Sequence, residues 1–337
     1  MNTLELISPD LSFRAVARDV PVPGPGEVLV RLRAASLNYI DVAVATGQFP
    51  GATFPLVPVA DGAGEVAAIG PQVAGWSVGD RVIPHFLPDW TAGAISPQRV
   101  GAMRGITRPG SLADYVAVPA ASLVPAPAHL DFVQAATLPI AATTAWNAVR
   151  AAQLRPGAVV VLLGTGGVSL FALQFAKASG AEVIVTSSSD AKLARAQALG
   201  ADHLINYRST PDWDREVLRL TGGRGADLVV ETAGAETFQR ALLAAAPGGT
   251  VFSVGFLSGA TTAIDLFPLI TKALRVVGNN TGSVADLADA ARAVAAHRIV
   301  PVVDDVFDVT DARAAYLRMQ EGGRHFGKLA FVHPAAD

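Results

Sequence analysis

The chain has 337 residues, about twice the size of a typical single domain, so two domains around separate cores are expected. Hydrophobic residues make up 51% and charged residues 16%, too apolar for disorder, and 26 Lys and Arg against 29 Asp and Glu leave a net charge of -3, with no cationic excess for a nucleic-acid partner. The absence of cysteine removes disulfides, thiolate nucleophiles, iron-sulfur clusters and thiolate zinc sites together.

The stretch Met1 to Asp10 carries Glu5 and Asp10 and has no basic segment leading into an apolar run, so no signal peptide is expected. Apolar runs such as Val159 to Leu163 are strand-length, and the Ala-rich stretches are broken by Gly, Pro, Arg or Lys before a bilayer is spanned. A cytoplasmic protein with no membrane partner is the expectation.

From Pro21 to about Pro125, short branched runs such as Val28-Leu29-Val30 and Val78 to Ile83 alternate with Gly and Pro clusters, which reads as mostly strand. From Val159 to about Val277 apolar runs alternate with helical stretches, the pattern of strand-helix units on a parallel sheet. Strands are expected at Ala158 to Leu163, Glu182 to Thr186, His203 to Asn206, Asp227 to Glu231, Thr250 to Val254 and Leu274 to Val277, the number of a full dinucleotide-binding sheet. Val168, Phe171, Ala172, Phe175 and Ala176 fall at the spacing that lays one helical face on that sheet, and Gly180 ends the helix. After Gly282 come a helix from Val284 to His297, the branched run Ile299 to Val306, a helix near Asp311 to Met319 and the apolar ending Lys328 to Val332. This tail breaks the alternation, so it is expected to return to the first domain. The expected fold is α/β: a Rossmann-type doubly wound parallel sheet over 126–281, inserted in a mostly β domain formed by 1–125 and 282–337.

The sharpest local signal is Leu163-Gly164-Thr165-Gly166-Gly167-Val168-Ser169, a Gly-rich turn after a Val-rich strand and at the mouth of a helix. Gly164 can take the tight turn, Gly166 lets the backbone approach a pyrophosphate, and the helix points its amides at the anion; Ser169 stands where a third glycine is usual. At the end of the second strand no acid stands ready to grip a ribose hydroxyl. Thr186-Ser187-Ser188-Ser189, followed by Lys192 and Arg195, suits a ribose 2'-phosphate, so NADPH is expected over NADH. The bland alternative is that Ser189 or Asp190 caps a helix with a basic outer face.

Taken together, the motifs resemble the medium-chain dehydrogenase/reductase superfamily, in particular its zinc-independent, quinone-oxidoreductase-like branch. The resemblance runs through Pro23-Gly24-Pro25-Gly26-Glu27-Val28, Asn38-Tyr39-Ile40-Asp41, Asp61-Gly62-Ala63-Gly64-Glu65-Val66, Val78-Gly79-Asp80-Arg81-Val82 and Leu138-Pro139-Ile140-Ala141-Ala142-Thr143-Thr144-Ala145-Trp146. It continues through the Gly-rich turn, Ala198-Leu199-Gly200-Ala201-Asp202 and His325-Phe326-Gly327-Lys328. It implies a GroES-like catalytic domain around the Rossmann domain, Asn38 and Thr144 beside the nicotinamide, and Gly255 and Phe256 after a strand passing it. It further implies Ser187, Ser188, Lys192 and Tyr207 at the 2'-phosphate, and Lys328 closing over the cofactor from the other domain. With Gly164, Gly166, Gly167 and Val168 these complete the expected NADP(H) contacts.

In the same comparison, zinc-dependent relatives place a catalytic Cys where this chain has Asn38 and Gly-His-Glu where it has Val59-Ala60-Asp61, and Leu87 to Gly110 takes the place of their four-cysteine lobe. A catalytic zinc needs three protein ligands, so no metal is expected. Asp41 and Asp61 either order a pocket or cap turns; His85 either faces the cleft or serves structure; Tyr39 either bonds a carbonyl oxygen or walls the pocket. Asp61 and Trp90 are the expected substrate-pocket residues. Val42-Ala43-Val44-Ala45-Thr46 stands where quinone reductases often carry a Tyr-x-Arg pair, which suggests a more apolar substrate.

The expected activity is hydride transfer from NADPH, without zinc, to a quinone, an activated alkene or a small carbonyl compound, with Asn38 and Tyr39 polarising the acceptor oxygen. The alternatives are a reversible alcohol dehydrogenase-like carbonyl reductase and an NADPH-binding redox sensor without turnover. The run Leu274 to Gly278 is the candidate edge for a homodimer.

Overall fold

In the computed structural model, which describes residues 1–334, the strand Glu27–Leu37 is the hub of the first unit. It pairs antiparallel with Asp61–Ile69 along most of its length, with Tyr115–Pro119 over its first half and with Lys328–Val332 over its second. The sheet continues through Arg81–Pro84 and Leu123–Pro125 on one side and ends at Val303–Asp308 on the other. Val28, Val30 and Leu32 pack with Val66, Val82, Val116 and Val118, while Ala35 and Leu37 join Leu329, Phe331 and Tyr316 in a second cluster. β-Branched residues fit this pleated, half-buried surface, which is why the short Val-rich runs become strands. The hub forms a common end with its neighbours: Ser36 lies opposite Asp61, and Leu37 opposite Leu329, so Asn38, Asp61 and Lys328 emerge together.

The strand Lys328–Val332 is the physical reason the tail returns, since the Glu27–Leu37 edge would otherwise lose its ladder partner. Helix Ala312–Gln320 covers the second cluster with Ala315, Tyr316 and Met319. Two features depart from the expectations. A hairpin, Asn2–Ser8 with Ser12–Ala17, precedes Pro21, where no strands were expected. The first unit also extends to Thr143 rather than stopping at residue 125, and takes up the chain again at Gly282. The intervening stretch is tied down by Arg81, whose Nη2 donates to the Leu130 carbonyl at 2.5 Å and whose guanidinium lies 4.6 Å from the Phe132 ring centroid. Asp131 caps the short helix that follows, accepting from the Gln134 amide at 2.7 Å.

The second unit, Thr144–Thr281, holds a parallel sheet of 6 strands in the order His203–Asn206, Glu182–Ser187, Val159–Leu163, Ala226–Glu231, Ala245–Ser253, Arg275–Gly278. This is the doubly wound order with a switch point beside Val159–Leu163, whose residues are all buried. The strand expected from Thr250 starts at Ala245, with a register shift against Ala226 and Leu228. Pro247-Gly248-Gly249 makes the irregularity possible: Gly248 has φ +73°, and a Cβ on Gly249 would stand 2.8 Å from the Ala226 carbonyl oxygen. Helix Gly167–Ala178 buries Phe171, Ala172, Phe175 and Ala176, as its spacing implies, and Gly180 closes it at φ +75°.

Candidate active site

In the parallel-sheet unit, the expected cofactor residues gather at the carboxyl ends of the strands, where ligands bind in open α/β sheets. Gly164 turns the chain at φ +75°, and Gly166 precedes helix Gly167–Ala178, with Gly167 and Val168 in its first turn. Cβ atoms built on Gly164 or Gly166 would meet nothing within 4 Å, so open space lies over both. The turn is braced from below: Ser169 Oγ donates to the Leu163 carbonyl at 2.8 Å, and Thr232 Oγ1 to the same carbonyl at 2.7 Å. Ser169 thus uses its hydroxyl for the close helix-strand packing a third glycine would otherwise allow. The cradle fits a pyrophosphate.

Strand pairing of Asn206 with Ser187 sets Tyr207 beside the serine run, its amide donating to the Ser187 carbonyl at 3.1 Å. Ser187 is buried, Ser188 and Lys192 are half-buried, and Tyr207 is exposed. Ser189 caps helix Asp190–Ala198, accepting from the Lys192 amide at 3.4 Å, so the bland capping role is also present. The nearest acid in sequence, Asp190, accepts from Asn206 Nδ2 at 2.7 Å. Thr144 is buried and accepts from Asn279 Nδ2 at 3.3 Å. Gly255 passes so close to Thr232 that a Cβ would lie 1.9 Å from its carbonyl oxygen, and Phe256 follows on the surface.

Glu231 was read from the sequence only as a strand end, and the structure gives it a larger part. Its buried carboxylate accepts from the amides of Ala233 and Gly234 at 3.0 Å and from Thr237 Oγ1 at 2.5 Å, folding the 232–237 loop around itself. An acid ending a Val-Val run was a visible signal, because a lone carboxylate does not finish a buried strand without donors.

In the first unit, helix Tyr39–Ala45 starts at Asn38, whose amide donates to Asp41 Oδ2 at 2.8 Å, while Asp41 Oδ1 accepts from the Ala60 amide at 2.9 Å. Asp41 is therefore the capping acid. Asn38 Nδ2 donates to Asp61 Oδ2 at 2.8 Å, and Lys328 Nζ donates to Asn38 Oδ1 at 2.5 Å and to the Leu37 carbonyl at 2.8 Å. Lys328 Nζ also lies 3.8 Å from Asp61 Oδ2, which accepts from the Ile140 amide at 3.3 Å. Asp61 and Lys328 are buried; Asn38 and Tyr39 are half-exposed.

Burial pushes the Asp61 carboxyl up to about 6 against the pull of the Lys328 ammonium, and pushes Asp41 up to about 7 against its two backbone donors. The same burial drives the Lys328 ammonium below its ordinary value. His85 is fully buried with Nε2 at 2.9 Å from the Gly282 carbonyl oxygen, and burial takes it down to about 4, so its role is structural. Trp90 packs with Val44, Ala60, Phe86, Leu87 and Ile106, its Nε1 donating to the Gly93 carbonyl at 2.9 Å. Arg104 gave no sequence signal at all. It is 1% exposed; its Nη2 donates to Ser111 Oγ at 2.9 Å, Nε and Nη1 have no partner, and burial lowers it to about 10.

Among the described residues no three His, Cys, Asp or Glu side chains stand together as metal ligands. At the positions to which the resemblance to zinc-dependent relatives points stand Asn38, Ala60 and Asp61, with Lys328 Nζ 3.8 Å from Asp61 Oδ2. This donor set does not fit a catalytic zinc.

A GroES-like sheet and a Rossmann-type parallel sheet with a Gly-rich turn at its switch point are the architecture of nicotinamide-dependent oxidoreductases. Residues 24–128 match the alcohol dehydrogenase GroES-like domain family and residues 167–296 the zinc-binding dehydrogenase family. A zinc-type alcohol dehydrogenase-like protein of Schizosaccharomyces pombe is 41% identical over 313 residues, covering 90% of each chain. A quinone oxidoreductase of Pseudomonas aeruginosa is 36% identical over 276 residues, 81% of this chain and 78% of that one. The crystal structure of an NAD-dependent alcohol dehydrogenase superposes with a TM-score of 0.87 at 36% identity, covering 98% of this chain and 99% of the other. The chain belongs to the medium-chain dehydrogenase/reductase superfamily and is an oxidoreductase of that family.

Proposed function

We propose that the protein is an NADPH-dependent, zinc-independent reductase that passes hydride to a quinone, an activated alkene or a small carbonyl compound. The observation that carries the reading is the half-exposed Asn38 amide, held by buried Lys328 and Asp61 where a metal-ligand set would otherwise stand. A hydride acceptor develops negative charge on oxygen, and a fixed amide N–H meets that charge without reorganising. Tyr39, the next residue, offers a second donor. The nicotinamide supplies the hydride; the chain orients it and the acceptor.

The Gly164 and Gly166 turn holds the pyrophosphate, and Ser187, Ser188, Lys192 and Tyr207 hold the 2'-phosphate, a group that an acid at this strand end would repel. Thr144, Gly255 and Phe256 are the proposed nicotinamide neighbours. A homodimer is part of the reading: Arg275–Gly278 is the edge of its sheet, and Phe267 and Ile270 beside it are each 72% exposed. A monomeric mass by light scattering at micromolar protein overturns that component. No described helix is long and apolar enough to cross a membrane.

The test is NADPH oxidation at 340 nm by chelator-treated protein against quinones, enones and aldehydes. Turnover that survives chelation, and falls in Asn38→Ala or Tyr39→Phe, supports the reading; activity that returns only with added zinc sinks it. The likeness to an NAD-dependent alcohol dehydrogenase favours a second reading, a reversible carbonyl reductase, recognised by alcohol oxidation with NADP.

A further inference from the structure

Asn38 is the exposed tip of a buried charged clasp. Lys328 has donors only and an ionised Asp61 has acceptors only, so their contacts fix the amide in one orientation: Oδ1 on the ammonium at 2.5 Å, Nδ2 on the carboxylate at 2.8 Å. One Nδ2 hydrogen is taken by Asp61. The other reaches only the Ser36 carbonyl oxygen, at 3.5 Å, the limit of a hydrogen bond, and is the one the half-exposed amide can give up to a stronger acceptor. The Lys328 ammonium donating to the amide oxygen draws electron density from the nitrogen and makes that hydrogen a stronger donor. The clasp cannot slip, because Lys328 is also bound to the Leu37 carbonyl and Asp61 to the Ile140 amide, and strand register sets all three side chains at one end of the sheet.

We infer that Lys328 and Asp61 are positioning residues: both lock the Asn38 amide, and Lys328 polarises it, so that a buried ammonium, acting through one amide, supplies the electrophilic pull on the acceptor oxygen. The charged groups facing Asn38 are Lys328, Asp61 and, through its own backbone, Asp41; Arg104 acts on Asp61 from farther off. The inference rests on the reading of Asn38 as the donor to the acceptor oxygen. It assigns Lys328 an effect on turnover beyond any contact with the cofactor.

The experiment compares Asn38→Ala, Lys328→Met, Lys328→Ala and Asp61→Asn with the wild type for kcat, KM and the Kd of NADPH, together with the Asn38 side-chain amide signals by 15N NMR, a readout that needs no acceptor. Lys328→Met is expected to lower kcat at saturating NADPH roughly tenfold to hundredfold, the scale of weakening one oxyanion donor, and in Lys328→Ala, whose shortened side chain leaves room for it, methylammonium is expected to restore part of the loss. The Asn38 amide shift is expected to move in Lys328→Met. If Asn38→Ala lowers kcat but Lys328→Met at saturating NADPH does not, or if methylammonium restores nothing in Lys328→Ala and the Asn38 amide shift does not move, the inference is overturned while the reading of Asn38 stands. If Asn38→Ala leaves kcat unchanged, the reading itself has failed. Should Lys328→Met not fold, Asp61→Asn carries the test: an unchanged amide shift and unchanged kcat overturn the clasp, and a change in both supports it.

Discussion

Replacing Arg104 with methionine is expected to make the protein more stable. The side chain is 1% exposed, it makes one hydrogen bond, to Ser111 Oγ, and two of its nitrogens have no partner. Burial lowers its pKa from 12.5 to about 10 in the folded state. At 1.36 kcal/mol per unit, that is about 3 kcal/mol disfavouring the charged folded form. The sign is that of a base with a depressed folded pKa: the cost is present in full below about 10 and so throughout the neutral range. Methionine fills nearly the same volume, leaves Ser111 Oγ without its donor at about 1 kcal/mol, and removes a cation that attracts Asp61. The expected net gain is about 1–2 kcal/mol in urea unfolding, in line with the finding that buried charges often give way favourably to apolar isosteres. If Arg104→Met instead costs more than about 1 kcal/mol, the guanidinium is not under-compensated, and the reasoning from its orphaned nitrogens is refuted.

Three further expectations follow from the same geometry. His85 stays neutral down to about pH 4 when folded but takes up a proton near its ordinary 6.5 when unfolded, so it removes about 3 kcal/mol as pH falls through that window. His85→Gln should therefore lose less stability on acidification than the wild type in parallel urea titrations, and identical pH slopes would contradict this. Gly255→Ala puts a Cβ 1.9 Å from a backbone oxygen that cannot yield, and thermal unfolding should show at least about 2 kcal/mol lost together with weaker NADPH binding. Lys192→Ala should weaken NADPH binding roughly tenfold and leave NADH within about twofold by fluorescence titration; equal losses for both cofactors would detach Lys192 from the 2'-phosphate.

The strands and helices of the parallel sheet were legible because their signals are local: apolar runs of strand length, a 3.6-residue stripe and a Gly-rich turn depend on neighbours a few residues away. His203–Asn206 and Lys328–Val332 appear at the bounds read from the chain. The tail's return and the mostly β character of the first unit were likewise legible, since a break in alternation is a local observation. The hairpin before Pro21 was not, because its inward residues, Leu4, Leu6 and Phe13, join a core built from the distant Val42, Tyr316 and Phe331. The segment from Ala126 to Thr143 carries no signal of its allegiance; the Arg81 guanidinium, through a backbone carbonyl and the Phe132 ring, and the carboxylate of Asp61 draw it to the first unit.

Asn38, Asp61 and Lys328 could each be named from the chain, one by one. That they form a single clasp was decided by strand register, which places Leu37 opposite Leu329 and Ser36 opposite Asp61 across sequence separations no local pattern records. Burial then decided their chemistry. The same carboxylates, ammonium and guanidinium would titrate ordinarily in water; loss of solvent raises Asp41 and Asp61, lowers Lys328 and Arg104, and makes the partner of each charge matter. Composition and motif determine which groups the chain owns, whereas desolvation and register, properties of the folded whole, determine what those groups can do.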